Sequence, residues 1–193
     1  MERPRAWMLA ILILPTIVVG CASNKGADLF PLEIGKKWSS TVRTEFATKI
    51  AEMAITSSAA VGSIDGVQIE SSFGKSKVAW EKGTLYASAL PNCTFSPPIP
   101  LVVGVESEAV RSWKGRVFIA GTTRDASASL EQKPASLPIG GKTYETTRCI
   151  LKLNAGSDIK IELITCYARG MGPIWQEQRT NDRLDIAMER ING

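Results

Sequence analysis

Residues 144–167 read YETTRCILKLNAGSDIKIELITCY. In the second arm Ile159, Ile161 and Leu163 fall on one side of an extended chain, and Lys160 and Glu162 fall on the other. An apolar face opposed to a charged face, at a period of two, is the pattern of a half-buried antiparallel strand. Residues 144–153 form the preceding strand, and the loop at 154–158 joins the two into a hairpin. That loop predicts Leu153 opposite Ile159 and Cys149 opposite Leu163. Cys149 then shares the apolar face, and Cys166 points to the other.

The same style extends in both directions. Toward the N-terminus, residues 38–46, 49–57, 67–73, 76–81 and 84–90 read as strands. Asp65-Gly66 is a hairpin-type dipeptide, and Lys82-Gly83 is a turn. Residues 91–100 carry Pro91, Pro97, Pro98 and Pro100. Proline has no N–H to give to a ladder, so this stretch is expected to be a linker crossing an edge. Residues 116–121 and 126–132 read as strands, Gly140-Gly141 as a turn, and 174–179 as a further strand. Residues 184–191 fit either an alternating strand or a helix face, and the strand is preferred. Gly170-x-Gly172-Pro173 reads as a turn or bulge, not a phosphate cradle, because a strand and not a helix follows it. Pro31-Leu32-x-x-Gly35 and Pro100-Leu101-x-x-Gly104 recur at equal spacing and would each launch one half of a sheet.

Composition bounds the chemistry. The chain has 193 residues, 44% hydrophobic and 22% charged, which is ordinary for a protein with a real core. Its formal charge is +4, and removal of residues 1–20 with Glu2, Arg3 and Arg5 leaves 21 basic against 18 acidic residues, or +3. The basic residues are scattered, so no nucleic-acid footprint is expected. The chain has no histidine. A Ser-His-Asp triad, a Cys-His pair and an HExxH metal site are therefore excluded.

The N-terminus carries Arg3 and Arg5, then an apolar run over 6–19 interrupted at Pro15 and Thr16, then Gly20-Cys21. This is the layout of a signal peptide, and the run is shorter than the ~20 residues of a spanning helix. Val18-Val19-Gly20-Cys21 resembles the bacterial lipobox. The resemblance implies cleavage before Cys21 and lipidation of Cys21, with palmitate among the expected acyl groups. The expected organisation is a signal peptide over 1–20, a lipidated tether over 21–28 and a single β-rich domain over 29–193. The membrane, reached through the lipid, is the first expected partner. The expected location is the cell envelope, either on the outer side of the cytoplasmic membrane or in the outer membrane. A short tether would hold any binding groove close to the bilayer.

Three motifs lie in order along the chain: Phe30-Pro31-Leu32-x-x-Gly35-x-x-Trp38, Pro97-Pro98-Ile99-Pro100-Leu101-x-x-Gly104 and Tyr167-Ala168-Arg169-Gly170-Met171-Gly172-Pro173-Ile174. Together they resemble a large group of secreted bacterial proteins and lipoproteins, some known as TapB-like, over about residues 29–179. The resemblance implies a mainly β fold with few or short helices. It would be a strongly curved antiparallel sheet, a half-barrel of the LolA/LppX lipid-carrier type. The group has no agreed catalytic residues, so none is carried over. Ser107 stands where the pattern expects Trp.

Cys93, Cys149 and Cys166 remain after Cys21. An exported compartment favours one disulfide; Cys93, in the flexible Pro-flanked stretch, could reach either Cys149 or Cys166, and Cys93–Cys149 is the expected pair. No metal site or cofactor is expected from three widely spaced thiols without His. Asp182, Asp185, Glu45 and Glu52 read as surface charge, and Asn92-Cys93-Thr94 as an incidental sequon. Trp38, Trp80, Trp113 and Trp175 are expected to pack the concave side or cap its ends. The functional expectation is a non-enzymatic envelope lipoprotein holding an apolar ligand or lipid in the curved sheet. The alternative is a structural or assembly lipoprotein acting through protein partners.

Overall fold

The computed structural model describes residues 26–191. Cys21 and the segment read as a signal peptide lie outside the described residues, as does most of the tether. Twelve antiparallel strands follow one another: β1 (Lys37–Arg43), β2 (Thr48–Val61), β3 (Ile64–Ser71), β4 (Gly74–Glu81), β5 (Thr84–Leu90), β6 (Cys93–Val103), β7 (Ala109–Ile119), β8 (Thr122–Ile139), β9 (Lys142–Ala155), β10 (Ile159–Ala168), β11 (Gly172–Thr180) and β12 (Arg183–Arg190). Each pairs with the next, and no helix occurs among the described residues.

The mainly β reading holds, but the half-barrel is corrected to a closed barrel. β1 pairs with β2 and also with β12, from Ser40 opposite Arg190 to Arg43 opposite Ala187. This last ladder removes the two free edges that a half-barrel would leave exposed to pairing with other chains. Closure depends on β12, whose pattern was the ambiguous one. The outer face carries in-register charge pairs, Lys152–Glu162 between β9 and β10 and Lys75–Glu70 between β4 and β3. Charged outward positions of this kind are not the apolar girdle of a membrane-spanning barrel.

The opening hairpin behaves as read, with one shift. Its loop is shorter, so Ala155 faces Ile159 and Leu153 faces Ile161. Cys149 therefore faces Thr165 and not Leu163. A shift of two residues keeps every side chain on its face. Cys149 is buried in the main core, and Cys166 packs in a smaller cluster with Ile139, Ala168 and Ile174.

The proline stretch is the larger departure. Residues 93–103 form a paired strand, hydrogen-bonded to β7 over 93–96 and to β5 at 93–94 and 99–103. Beyond Ser96 the β7 side of β6 has no ladder, and Pro97 and Pro98 pair with neither neighbour, so they remove no ladder bond, while Pro100 stands opposite Tyr86 of β5. The slit this leaves in the wall is closed by side chains. The buried Gln132 of β8 accepts from the Val103 N–H at 2.7 Å and donates to the carbonyls of Val103 (2.8 Å) and Glu106 (2.7 Å). Its amide stands in for a missing strand. Trp113 donates its indole N–H to the Pro97 carbonyl at 3.2 Å and meets Phe95 edge-on.

Two smaller expectations also change. The β2–β3 turn lies at residues 62–63, and Asp65-Gly66 sits inside β3. The two Pro-Leu-x-x-Gly segments are not equivalent launches, because the first precedes β1 while Pro100 lies within β6 and Gly104 follows its end.

A circular barrel of twelve strands would be too wide for its own side chains to fill. Here one continuous core joins Val67, Val78 and Ala87 of one wall with Leu130, Leu151 and Leu153 of another. The lumen is thus packed solid where these walls meet. A cavity remains beside that core, lined from β1–β6 and β10–β12.

Candidate functional site

A meander of hairpins puts its turns alternately at two ends. Residues 44–47, 72–73, 91–92, 120–121, 156–158 and 181–182 lie at one end. The other turns lie at the opposite end, together with residues 26–36 and Ile191.

That second end is closed by the chain's own N-terminal segment. Leu29 and Phe30 are buried there, Phe30 at 2% exposure. Phe30 meets Trp38 edge-on, with ring centroids 5.9 Å apart, and its carbonyl accepts the Trp80 indole N–H at 2.9 Å. The backbone is pinned as well: the Gly170 and Gly172 N–H groups donate to the carbonyls of Asp28 and Leu29 at 2.7 and 3.0 Å. Two glycines make the fit. Gly172 has φ +84°, and a Cβ there would stand 2.1 Å from the Phe30 ring. A Cβ on Gly104 would stand 2.8 Å from Gly26. The three motifs singled out in the sequence therefore converge on one plug: Phe30 and Trp38 from the first, Gly104 from the second, Gly172 from the third. Tyr167, wholly buried beside them, has its phenol pushed well above the usual value by burial, with Cys149 adding to the effect.

Above the plug lies a cavity of about 380 Å³. Its floor is apolar: Phe30, Trp38, Leu85 and Leu101. Met53, Ile69, Val78, Leu163, Ile186 and Met188 line the walls. Ser40, Thr165 and Gln176 give one side of the wall polar groups. The lining reaches the turn residues Phe73, Pro91 and Asn92 and the first residue of β4, Gly74, at the opposite end, and Pro91 and Asn92 are exposed. The lining thus runs from the plug to the exposed turn at residues 91–92, which puts a mouth at the end away from residue 26.

At the mouth one acid, Asp185, belongs to the lining, and one base, Lys49, stands exposed just outside it. A register shift in the β11–β12 ladder lets Asp185 face the lining, although it read as surface charge. Its carboxylate accepts from Gln178 at 3.1 Å and from the Thr180 hydroxyl at 2.6 Å. Lys49 lies opposite Val42, a fully buried inward position, and its ammonium sits 4.4 Å from the centroid of the Phe73 ring. Neither Lys49 nor Phe73 was singled out by sequence. The available signal was the parity of Lys49 in β2, which depends on knowing where that strand begins.

The cysteines and the acids Glu45, Glu52 and Asp182 stay apart from the cavity, whereas Trp38 and Trp175 line it. Cys93, Cys149 and Cys166 are free thiols. Cys93 pairs with Ile119, which pairs with Thr122 at the start of β8, whereas Cys149 pairs with Gln132, ten residues further along β8. At ~3.4 Å per residue the offset is on the order of 30 Å, against the ~4.4–6.8 Å between Cα atoms that a disulfide needs. The structure thus does not form the Cys93–Cys149 bond. Burial pushes the Cys93 thiol up to about 11 and raises Cys149 further. Trp38, Trp80 and Trp113 face the interior as expected, while Trp175 packs beside the smaller cluster around Cys166. Asp182 is an exposed turn residue, and Glu45 and Glu52 pair on the surface with Arg183 and Lys37. Among the described residues no group of three or more Cys, Asp and Glu side chains is placed to hold a metal ion.

No protein-family model matches the chain, and no curated protein matches its sequence. Solved structures do match in fold. A protein from Parabacteroides distasonis described as a lipoprotein superposes with a TM-score of 0.52 at 11% identity, covering 84% of this chain and 96% of that one. An exported protein with YmcC-like fold from Bacteroides fragilis gives 0.49 at 13% identity, covering 83% and 96%. The hypothetical lipoprotein YmcC from Escherichia coli gives 0.45 at 8% identity, covering 82% and 88%. The first of these likenesses places the barrel among known folds and leaves its activity open.

Proposed function

We propose that the chain is a non-enzymatic envelope lipoprotein, anchored through Cys21, whose barrel holds an apolar or amphipathic small molecule in its cavity. The observation that carries this reading is the cavity itself, about 380 Å³ with an apolar floor at the plug and a lining that reaches the exposed turn at the far end. That volume falls within the ~300–1,000 Å³ of small-molecule sites. The description of a fold relative as a lipoprotein agrees with the Val18–Cys21 pattern.

The geometry changes the expected relation to the membrane. Gly26, five residues after Cys21, is at the plugged end. Five residues span at most ~18 Å, so an anchored chain keeps its plug toward the bilayer and its mouth away from it. An eight-residue strand such as β4 rises about 26 Å before tilt. A ligand would then be exchanged with the space beyond the anchoring membrane, not drawn directly from its surface.

The test is titration of the non-acylated Cys21→Ser chain with a fluorescent fatty acid, together with native mass spectrometry of the same protein from its own envelope. Saturable binding of one probe per chain at micromolar concentration, or a co-purified small amphiphile, is expected. The absence of both would leave the alternative, an assembly lipoprotein acting through protein partners. That second reading has its own observation, in Phe46 and Ile50, which are 87% and 71% exposed at and beside the β1–β2 turn.

A further inference from the structure

We infer that the cavity selects amphiphiles with an anionic head group, taken tail first, and that Lys49 is the residue that reads the head. This rests on the ligand-holding reading above and gives it a chemical class and a direction.

The direction follows from the lining. Phe30, Trp38, Leu85 and Leu101 at the plugged end offer no charged partner, so that end suits a hydrocarbon tail. Neutral polar groups, Ser40, Thr165, Tyr167 and Gln176, run along one side of the wall, while the one charged residue of the lining, Asp185, lies at the rim with Gln178 and Asn92. A ligand with one apolar and one polar end therefore has one orientation that buries its tail and leaves its head hydrated.

The sign follows from what the two rim charges already do. Asp185 accepts hydrogen bonds from Gln178 and Thr180 on one carboxylate oxygen, so it is held against the wall by its own strand neighbours. Lys49 sits at an inward register position with its ammonium over Phe73, a residue of the lining. Among the described residues the contact recorded for that ammonium is this ring, and no carboxylate pairs with it. A cation held on an aromatic face by its quadrupole keeps its capacity for charge-assisted hydrogen bonds to an anion. Phe73 thus positions Lys49 at the rim where a carboxylate or phosphate head would emerge.

The test compares three probes with one tail, dodecanoate, dodecanol and dodecyltrimethylammonium, on the Cys21→Ser chain by calorimetry. Dodecanoate is expected to bind at least tenfold more tightly than dodecanol, with an advantage that shrinks as salt is raised. Lys49→Gln should erase that advantage, weakening dodecanoate at least tenfold more than it weakens dodecanol, and Lys49→Arg should retain it. Equal affinity for acid and alcohol, or an advantage that survives Lys49→Gln, would overturn the inference and leave the cavity reading standing. Tightest binding of the ammonium probe would overturn it in favour of Asp185. Failure of all three probes to bind would sink the cavity reading together with it.

Discussion

The two ends of this barrel are made from different kinds of residue. The plugged end uses the residues that stand out in the sequence: Phe30, Trp38, Trp80, Gly104 and Gly172, held by backbone hydrogen bonds and by approaches too close for a Cβ. The mouth uses Lys49, Phe73, Asn92, Gln178 and Asp185, which belong to none of the three motifs. Conspicuous aromatic and glycine motifs here mark the place where the fold is sealed. The end that would meet a ligand is written in ordinary polar residues whose meaning depends on register.

The comparison breaks first at Phe30. Phe30→Ala removes a ring that is 2% exposed and touches Trp38, so both the buried area and the packing above it are lost. A loss of about 3–5 kcal/mol is expected, read as a lower urea midpoint. Gly172→Ala should cost about 2–4 kcal/mol, because overpacking against Phe30 adds to the strain of a positive φ. If either variant is as stable as the parent, the plug is not what holds this end together.

Gln132 gives the next effect. Gln132→Leu leaves the Val103 N–H and the carbonyls of Val103 and Glu106 without their side-chain partner, at a wall with no ladder to replace it. Buried groups left unsatisfied cost about 1–3 kcal/mol each, and relaxation would reduce the sum to about 2–4 kcal/mol. Hydrogen exchange should localise the damage, with the β6–β7 connection losing protection before β2 or β10.

The pH response should come from the interior thiols. Burial raises Cys93 to about 11, and it also raises Cys149 and Cys166. An unfolded thiol titrates near ~8.5. The folded state therefore keeps its protons longer, and the stabilisation is full below ~8.5 and is lost as pH rises toward 11. Melting temperature should fall across that window, and Cys93→Ala should shallow the fall. A flat profile would show that these thiols are wetter than their packing implies.

Much of the fold was legible. β5 was read at its observed bounds, and β4 and β10 within two residues, because alternation is clean where one face is dry. β6 was hidden because its prolines argue against pairing, and only the gap in its ladders beyond Ser96 makes Pro97 and Pro98 harmless. Closure was hidden for a different reason: it is a property of β1 and β12 meeting across the length of the chain, which no local period encodes. The cavity shares that fate. Ile69, Leu163 and Met188 look like core residues in their own strands, and only the closure of the twelve-stranded ring brings them round one unfilled space.

The smallest expected change in stability separates the two ends most cleanly. Ser76 lies on β4 between Gly74 at the rim and Val78 deeper in the wall, and it lines the cavity. Its side chain is half-buried, and no hydrogen bond from it is recorded among the described residues. Ser76→Trp adds an indole that has empty space to enter, in contrast to Gly172, where a single methyl group meets a ring. The strand keeps its ladder to β3 through Ile69 and its face parity, and β propensity favours Trp over Ser. Stability should therefore change by no more than about 1 kcal/mol, while affinity for a dodecanoate probe should fall at least tenfold because the tube is occupied from its own wall. Calorimetry on the same preparation reads both quantities. A variant that unfolds would mean the lumen beside Ser76 is already filled, and one that binds undiminished would place the ligand elsewhere on the barrel.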